Sequence, residues 1–356
     1  MNALALEVAG LSLRLGACCL RDVDLAAAGG EILVLLGPNG AGKSVFLETI
    51  AGFYRPDAGR IAIGGRDVTE LPPEERRVGF LVQNFGLFPH RTVAQNVALG
   101  ARSRQDESQV AALLRRFDIA HLAERRPLLL SPGEKQRAAL ARALASRPDL
   151  FLFDEPFAAL DAQTHEALRD ELALFLRQSG IPAVFVTHDH GDALALGDRL
   201  AVMAAGTIVQ RGAAGEVFAR PASRSVAHFL GVENILDGRI VANGGDGLLR
   251  VEVGSSVLSC RSPAPAQNGK VALAIRAGDV RLNGAAAPKA NGADNVLAGR
   301  ITALRTIGPL CKLTIDCGFP LTAYLLAREA QGLAPEARLD AAIAVEAVHV
   351  LPGGES

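Results

Sequence analysis

The segment Gly37-Pro38-Asn39-Gly40-Ala41-Gly42-Lys43-Ser44 constrains this chain more than any other. It follows a short, nearly all-apolar run, Glu31 to Leu36, and precedes a stretch that reads as an amphipathic helix from Ser44. Small residues between a buried strand and a helix N-terminus let backbone N–H groups wrap a polyphosphate with no side chain in the way. In that pattern Lys43 reaches the β- and γ-phosphates of a nucleotide such as ATP, and Ser44 ligates Mg²⁺ through its hydroxyl. Two further runs, Leu150–Phe153 and Ala183–Val186, are as apolar as strands buried on both faces, and helical stretches such as Gln136–Ser146 and Ala162–Gln178 lie among them. This is the pattern of a parallel sheet covered by helices.

A second element must hold the metal and activate water. The strand Leu150–Phe153 ends in Asp154 and Glu155, at the carboxyl end of a strand where parallel sheets bind nucleotides. Carboxylates at a strand end are often merely solvated; with the phosphate loop upstream, Asp154 is the candidate Mg²⁺ residue and Glu155 the group that orients or deprotonates the attacking water. Gln83 closes another strand, Phe80-Leu81-Val82-Gln83, and His188 follows Val186-Thr187. Leu130-Ser131-Pro132-Gly133-Glu134-Lys135-Gln136-Arg137 opens a helix with Ser131 as its natural N-cap, and Ala159-Leu160-Asp161 closely follows the acidic strand.

With all these motifs in order over residues 1 to about 230, the sequence resembles the ATP-binding subunit of ATP-binding-cassette transporters. The resemblance implies a homodimer in which two cassettes face head to tail and sandwich two ATP molecules. Each site then takes the phosphate loop of one chain and the signature segment of the other, so Ser131, Pro132, Gly133 and Glu134 would face the partner's ATP from a helix N-terminus, whose dipole suits an anion. It further implies that His188 contacts the γ-phosphate, that Gln83 reaches Mg²⁺ and signals to the membrane subunits, and that Asp161 links the two sites. Two positions depart from the family pattern: Pro132 stands where Gly is usual, and Leu15, before Gly16, where an aromatic residue usually stacks on adenine. Proline is tolerated in the first turn of a helix, and leucine covers a ring face without a π system.

Composition bounds what remains. With 356 residues, the chain has room for two or three domains. Lys+Arg is 37 against Asp+Glu 38, a net charge of -1, so the basic surplus of a nucleic-acid binder is missing and a DNA-repair or translation cassette ATPase is the weaker alternative. Mean hydropathy is +0.22, yet no run reaches the roughly 18 apolar residues of a spanning helix. The residues Met1 to Val8 have no basic start and no apolar core of signal-peptide length, which predicts the cytoplasm. Five cysteines, Cys18, Cys19, Cys260, Cys311 and Cys317, with no CxxC pair, read as reduced thiols.

After Gly231 the texture turns to short Val-, Ile- and Leu-rich segments between Gly, Asn, Asp and Pro. Asn234-Ile235-Leu236-Asp237-Gly238-Arg239-Ile240 returns 61 positions later as Asn295-Val296-Leu297-Ala298-Gly299-Arg300-Ile301. The expected architecture is therefore an α/β P-loop nucleotide hydrolase over 1–230, with a helical subdomain at about 86–147. An all-β domain follows over 231–356, built of two similar units at about 234–282 and 295–351, with 283–293 as their linker. A cassette without a fused membrane span, followed by such a β module, resembles importer ATPases, and the segment Phe85–Val93 matches that group, where it receives the permease. The run Gly42–Phe53 and the segment Cys317-Gly318-Phe319-Pro320-Leu321 resemble the molybdate/tungstate importers, with sulfate, ferric iron, polyamine and sugar importers as alternatives. The implied partners are two integral membrane permease subunits and, indirectly, an extracytoplasmic solute-binding protein, with the chain peripheral on the cytoplasmic membrane face. The β module is either a packing and dimerisation unit or a regulatory oxyanion binder.

Overall fold

Five apolar residues with no polar face make Ile32–Leu36 a strand that must be covered on both sides. In the computed structural model it lies inside a six-stranded sheet in the order Thr207–Ala213, Arg199–Ala204, Ile32–Leu36, Ala183–Val186, Leu150–Asp154, Val78–Leu81. The strands run parallel except Thr207–Ala213, which pairs antiparallel at one edge. The structure describes residues 4–82, 85–101, 107–158, 160–244, 247–261, 269–283 and 295–352. They divide into two compact units, 1–217 and 218–356.

In the first unit a four-stranded antiparallel sheet, Cys18–Ala28, Leu4–Leu15, Ala58–Ile63 and Arg66–Asp67, shares one hydrophobic core with the six-stranded sheet and the helix Lys43–Ala51. The helix buries Phe46, Leu47 and Ile50, each worth roughly 1.5–3 kcal/mol. Its far end is fixed by Arg76, a buried guanidinium that donates to the carbonyls of Thr49 (2.8 Å), Ile50 (2.9 Å), Thr69 (2.9 Å) and Leu71 (2.7 Å). A cation on the last carbonyls both satisfies them and opposes the helix dipole. The helix that presents the loop to its ligand is thus held from behind.

Three helices, Val93–Gly100, Glu107–Arg116 and Pro132–Ala145, pack beside this sheet. Gly100 is required there, because a Cβ would sit 2.0 Å from the Arg142 carbonyl oxygen. Asn96, fully buried, receives the Phe88 N–H at 2.7 Å and donates to the carbonyls of Phe88, Arg91 and Thr92, which ties the loop after residue 85 to the first helix.

The second unit holds a closed barrel of Asn234–Asn243, Leu248–Val253, Ser256–Arg261, His349–Leu351 and Lys270–Ile275. Beside it is a five-stranded sheet of Val280–Asn283, Arg338–Ile343, Asn295–Ile307, Leu310–Asp316 and Pro320–Leu326. One core serves both, from Leu249 and Val251 to Leu313 and Ile315. The helix Arg224–Phe229 belongs here, because Ala227 packs on Ala274 and Leu351. Asn234 opens the first strand of the barrel and Asn295 the longest strand of the five-stranded sheet, and each reaches across to the other sheet. Asn234 Nδ2 donates to Ile275 O (3.2 Å) and Thr322 O (2.9 Å), and its Oδ1 accepts from Thr322 N (2.6 Å). Asn295 Nδ2 donates to Ile343 O (3.3 Å) and Ser259 O (2.9 Å), and its Oδ1 accepts from Ser259 N (2.6 Å). All five cysteines are free thiols, with Cys260, Cys311 and Cys317 buried.

Candidate functional site

Strand order brings the motifs together. Ile32–Leu36 and Leu150–Asp154 flank Ala183–Val186 in parallel, with Leu35 and Asp154 both opposite Val186. Their carboxyl ends set the loop 37–44, Asp154-Glu155 and Thr187-His188 side by side, in the crevice where parallel sheets bind ligands.

The loop is shaped by what its glycines permit. A Cβ on Gly37 would lie 2.2 Å from the Met203 carbonyl oxygen. Gly42 caps the helix at φ 100°, a left-handed conformation costly for any residue with a Cβ. Ala41 N–H donates to Pro38 O at 3.2 Å, closing a turn over Asn39 and Gly40. The helix starts at Lys43, one residue before the start read from the sequence, and its first-turn N–H groups have no intrahelical partner. The Lys43 ammonium, buried, donates to Gly37 O at 2.7 Å and Pro38 O at 3.0 Å. Burial lowers its pKa, and the negative charges of Glu155 and Asp154 oppose that shift.

Asp154 is buried with the Ser44 hydroxyl beside its carboxylate, and its Oδ1 has no hydrogen-bond partner. Burial raises the Asp154 pKa; the Ser44 hydroxyl pulls it down, and the Glu155 charge adds to the rise. An orphaned carboxylate oxygen next to a hydroxyl is a donor set that fits a hard divalent cation. Glu155 adopts φ 48°, strained for a non-glycine residue and the kind of outlier that gathers at functional sites. Its backbone N–H is anchored on Val186 O at 2.9 Å. Its Oε1 accepts from His188 Nδ1–H at 3.1 Å. The His188 side chain is 61% exposed and that of Glu155 only 17%, so the imidazole stands at the mouth and the carboxylate behind it.

Ser131 caps the helix Pro132–Ala145 through a reciprocal box: Glu134 N–H donates to Ser131 Oγ at 3.3 Å and Ser131 N–H to Glu134 Oε2 at 2.7 Å. That backbone donor holds the Glu134 carboxyl below its usual range. Pro132 takes the first helical position, where its missing N–H costs nothing. Ser131, Pro132, Gly133 and Glu134 share a cavity of about 310 Å³ with Leu160 and Asp161. Asp161 caps the helix Ala162–Ser179, accepting Thr164 N–H at 3.0 Å. Gln83 lies outside the described residues. Leu15, 38% exposed, ends its strand opposite Cys18.

Two residues were missed by the sequence reading. Gln136, buried, donates to the Pro156 carbonyl and so joins the signature helix to the residue after Glu155. His165, four residues past Asp161, donates to Asp192; its helical spacing from the cap was the only signal for it.

A phosphate loop, strand-end carboxylates and a capped signature helix on this sheet define an ATP-binding-cassette ATPase. The profile described as ABC transporter matches residues 20–158. The molybdate/tungstate import ATP-binding protein WtpC of Pyrococcus horikoshii is 39% identical over 94% of this chain and 96% of its own length. The spermidine/putrescine import ATP-binding protein PotA of Nitratidesulfovibrio vulgaris is 41% identical over 74% of each. A solved dimer of the cassette MJ0796, in a post-hydrolysis state bound to ADP and Pi, superposes with a TM-score of 0.54 at 29% identity, covering 59% of this chain and 98% of that one. The chain belongs to the ABC transporter family, as an importer ATP-binding subunit that hydrolyses ATP. No helix among the described residues is long and apolar enough to cross a membrane.

Proposed function

We propose that this chain powers molybdate or tungstate import as a homodimer, peripheral on the cytoplasmic membrane face beneath two permease subunits fed by an extracytoplasmic binding protein. The observation that carries the solute assignment is the extent of likeness: the match to the molybdate/tungstate relative runs over 94% of the chain, the match to the polyamine relative over 74%. Residues 1–217 supply the ATPase and 218–356 the accessory β module, whose start falls before the Gly231 read from the sequence and whose two sheets exchange strands, Val280–Asn283 joining the second and His349–Leu351 the first.

In the site, the loop N–H groups of residues 37–44 and Lys43 bind the phosphates of ATP. Ser44 and Asp154, together with Gln83 as the family pattern implies, would hold Mg²⁺, which would neutralise phosphate charge. Glu155 accepts the proton of the attacking water, and His188, hydrogen-bonded to Glu155, keeps that carboxylate aimed and contacts the γ-phosphate. Ser131 and Gly133 of the partner subunit close over the same phosphate, and Asp161 couples the two sites. A general base contributes typically 10²–10⁴-fold, so Glu155→Gln is expected to cut hydrolysis by about 10³-fold while ATP still binds. The test is radiolabelled tungstate uptake by vesicles holding the complete transporter, with the E155Q assembly as control. Uptake that E155Q abolishes and excess molybdate blocks supports the reading. Sulfate or polyamine uptake in place of tungstate overturns the solute assignment, and near-normal hydrolysis by E155Q overturns the role of Glu155.

A further inference from the structure

A part-buried hydrogen bond joins two loops of the site from behind. His165 Nε2–H donates to Asp192 Oδ1 at 2.6 Å, with the Asp192 side chain 3% exposed. His165 lies on the helix Ala162–Ser179, one turn after Asp161, and its N–H donates to the Asp161 carbonyl at 2.9 Å. Asp192 lies in the first turn of the helix His190–Leu196, and its N–H donates at 2.8 Å to Asp189, the residue after His188. The Asp189 N–H in turn rests on Thr187 Oγ1 at 3.0 Å. The imidazole also packs on the ring of buried Phe157, centroids 5.1 Å apart, two residues beyond Glu155. The groups facing Asp192 are His165 and, at 3.9 Å, Arg169 on the same helix, with Asp189 from its own turn. Arg169 is shared with Asp170 at 3.0 Å, so His165 is the near partner of the buried carboxylate.

We propose that the His165–Asp192 pair is a positioning link that fixes the loop of Asp161 and the loop of His188 against Glu155, so that the two loops answer bound nucleotide as one body. Asp161 lines the cavity shared with Ser131, and His188 bonds Glu155. A contact made at Asp161 by the second subunit therefore reaches the hydrolytic carboxylate through the first turns of two helices and the His165–Asp192 and His188–Glu155 hydrogen bonds. The inference rests on the roles assigned to Glu155, His188 and Asp161 above.

The test is steady-state ATP hydrolysis by the full chain, with thermal melting of every variant. His165→Phe keeps a ring against Phe157 and removes the donor. It is expected to lower kcat about tenfold with KM for ATP changed less than about twofold, the mark of an interaction felt in the transition state and not in ground-state binding. His165→Arg, whose guanidinium can reach the same carboxylate, is expected to hold kcat within about threefold of the parent. Asp192→Asn should match H165F, and the double variant should fall no further than the lower single, because coupled residues are not additive. Parental kcat in H165F, a loss confined to KM, an H165R as impaired as H165F, or multiplicative losses in the double variant each overturn the link. If H165F fails to fold, H165R and D192N decide. An active E155Q would show that the site assignment itself fails; an inactive E155Q with a normal H165F would show that only the link does.

Discussion

The crevice edge of the first unit and the strand clamps of the second treat buried polar groups in opposite ways. At the carboxyl edge of the six-stranded sheet, polar groups are buried and left open: Asp154 Oδ1 has no partner, Lys43 is held only by loop carbonyls, and Glu155 sits at a strained φ. In the second unit, Asn234 and Asn295 are as deeply buried, yet each uses both its amide and its carbonyl on backbone of the opposite sheet. Leaving a buried polar group unpaired costs about 1–3 kcal/mol. A fold bears that cost where a ligand will complete the set, and removes it where the residue only holds strands together. At the crevice the open carboxylate of Asp154 stands where a cation could complete it, while the saturated asparagines hold strands together.

The sharpest way to break this contrast is to fill the loop. Gly37→Ala places a methyl 2.2 Å from the Met203 carbonyl, so the backbone of the phosphate loop must move. A displacement near 1 Å at such a site can cost about 10²-fold. ATP affinity, measured by titration with a fluorescent ATP analogue, should fall by about that factor, while the melting of the second unit stays put. If G37A binds ATP like the parent, the loop is not a cradle shaped by its glycines.

The asparagines test the other side. Asn234→Ala and Asn295→Ala each strand a backbone N–H, of Thr322 and Ser259 respectively. Each is expected to cost the second unit about 2 kcal/mol, read by denaturant unfolding, with ATP hydrolysis by the full chain within about twofold of the parent. Because the two bonds are the same length and run in reciprocal directions, the costs should agree. A large inequality would break the equivalence of the two sheets, and a lost ATPase would break the division between open and closed groups.

What the sequence reveals of each region follows from the distance over which its chemistry is written. The loop 37–44 is contiguous, so its place between a buried strand and a helix was legible, although the helix starts at Lys43, one residue before the start read from the sequence. Asp154, Glu155 and His188 were legible because a strand end is recognisable from its own apolar run. Pro132 was foreseen in the first helical turn, since that position requires only local reasoning. Asn234 and Asn295 were visible as a repeat, but not as a clamp, because Thr322 lies 88 residues from one and Ser259 36 from the other. His165 escaped for the same reason: its partner, 27 residues away, comes within reach only once the strands Leu150–Asp154 and Ala183–Val186 are neighbours. Periodicity reports which face is buried, but not which two buried polar groups will meet.

The smallest expected effect concerns the thiols of the closed unit. Burial pushes Cys260 up to about 11, and burial reinforced by the Asp316 charge does the same for Cys317. An unfolded thiol titrates near 9, so between pH 9 and 11 the folded state holds protons that the unfolded state has released. Stability falls with pH wherever the native state binds more protons. The contribution of these two thiols is therefore fully present below pH 9 and is lost as pH rises toward 11. The melting temperature of the second unit should decline over that window, and Cys260→Ala combined with Cys317→Ala should flatten the decline while lowering the starting value, because each change leaves a cavity in the shared core. The same two substitutions should leave the pH dependence of ATP hydrolysis unchanged, since both thiols are buried in the second unit's own core. A decline that persists unaltered in the double variant would assign the alkaline loss to other groups, and the closed character of this unit would then rest on its asparagines alone.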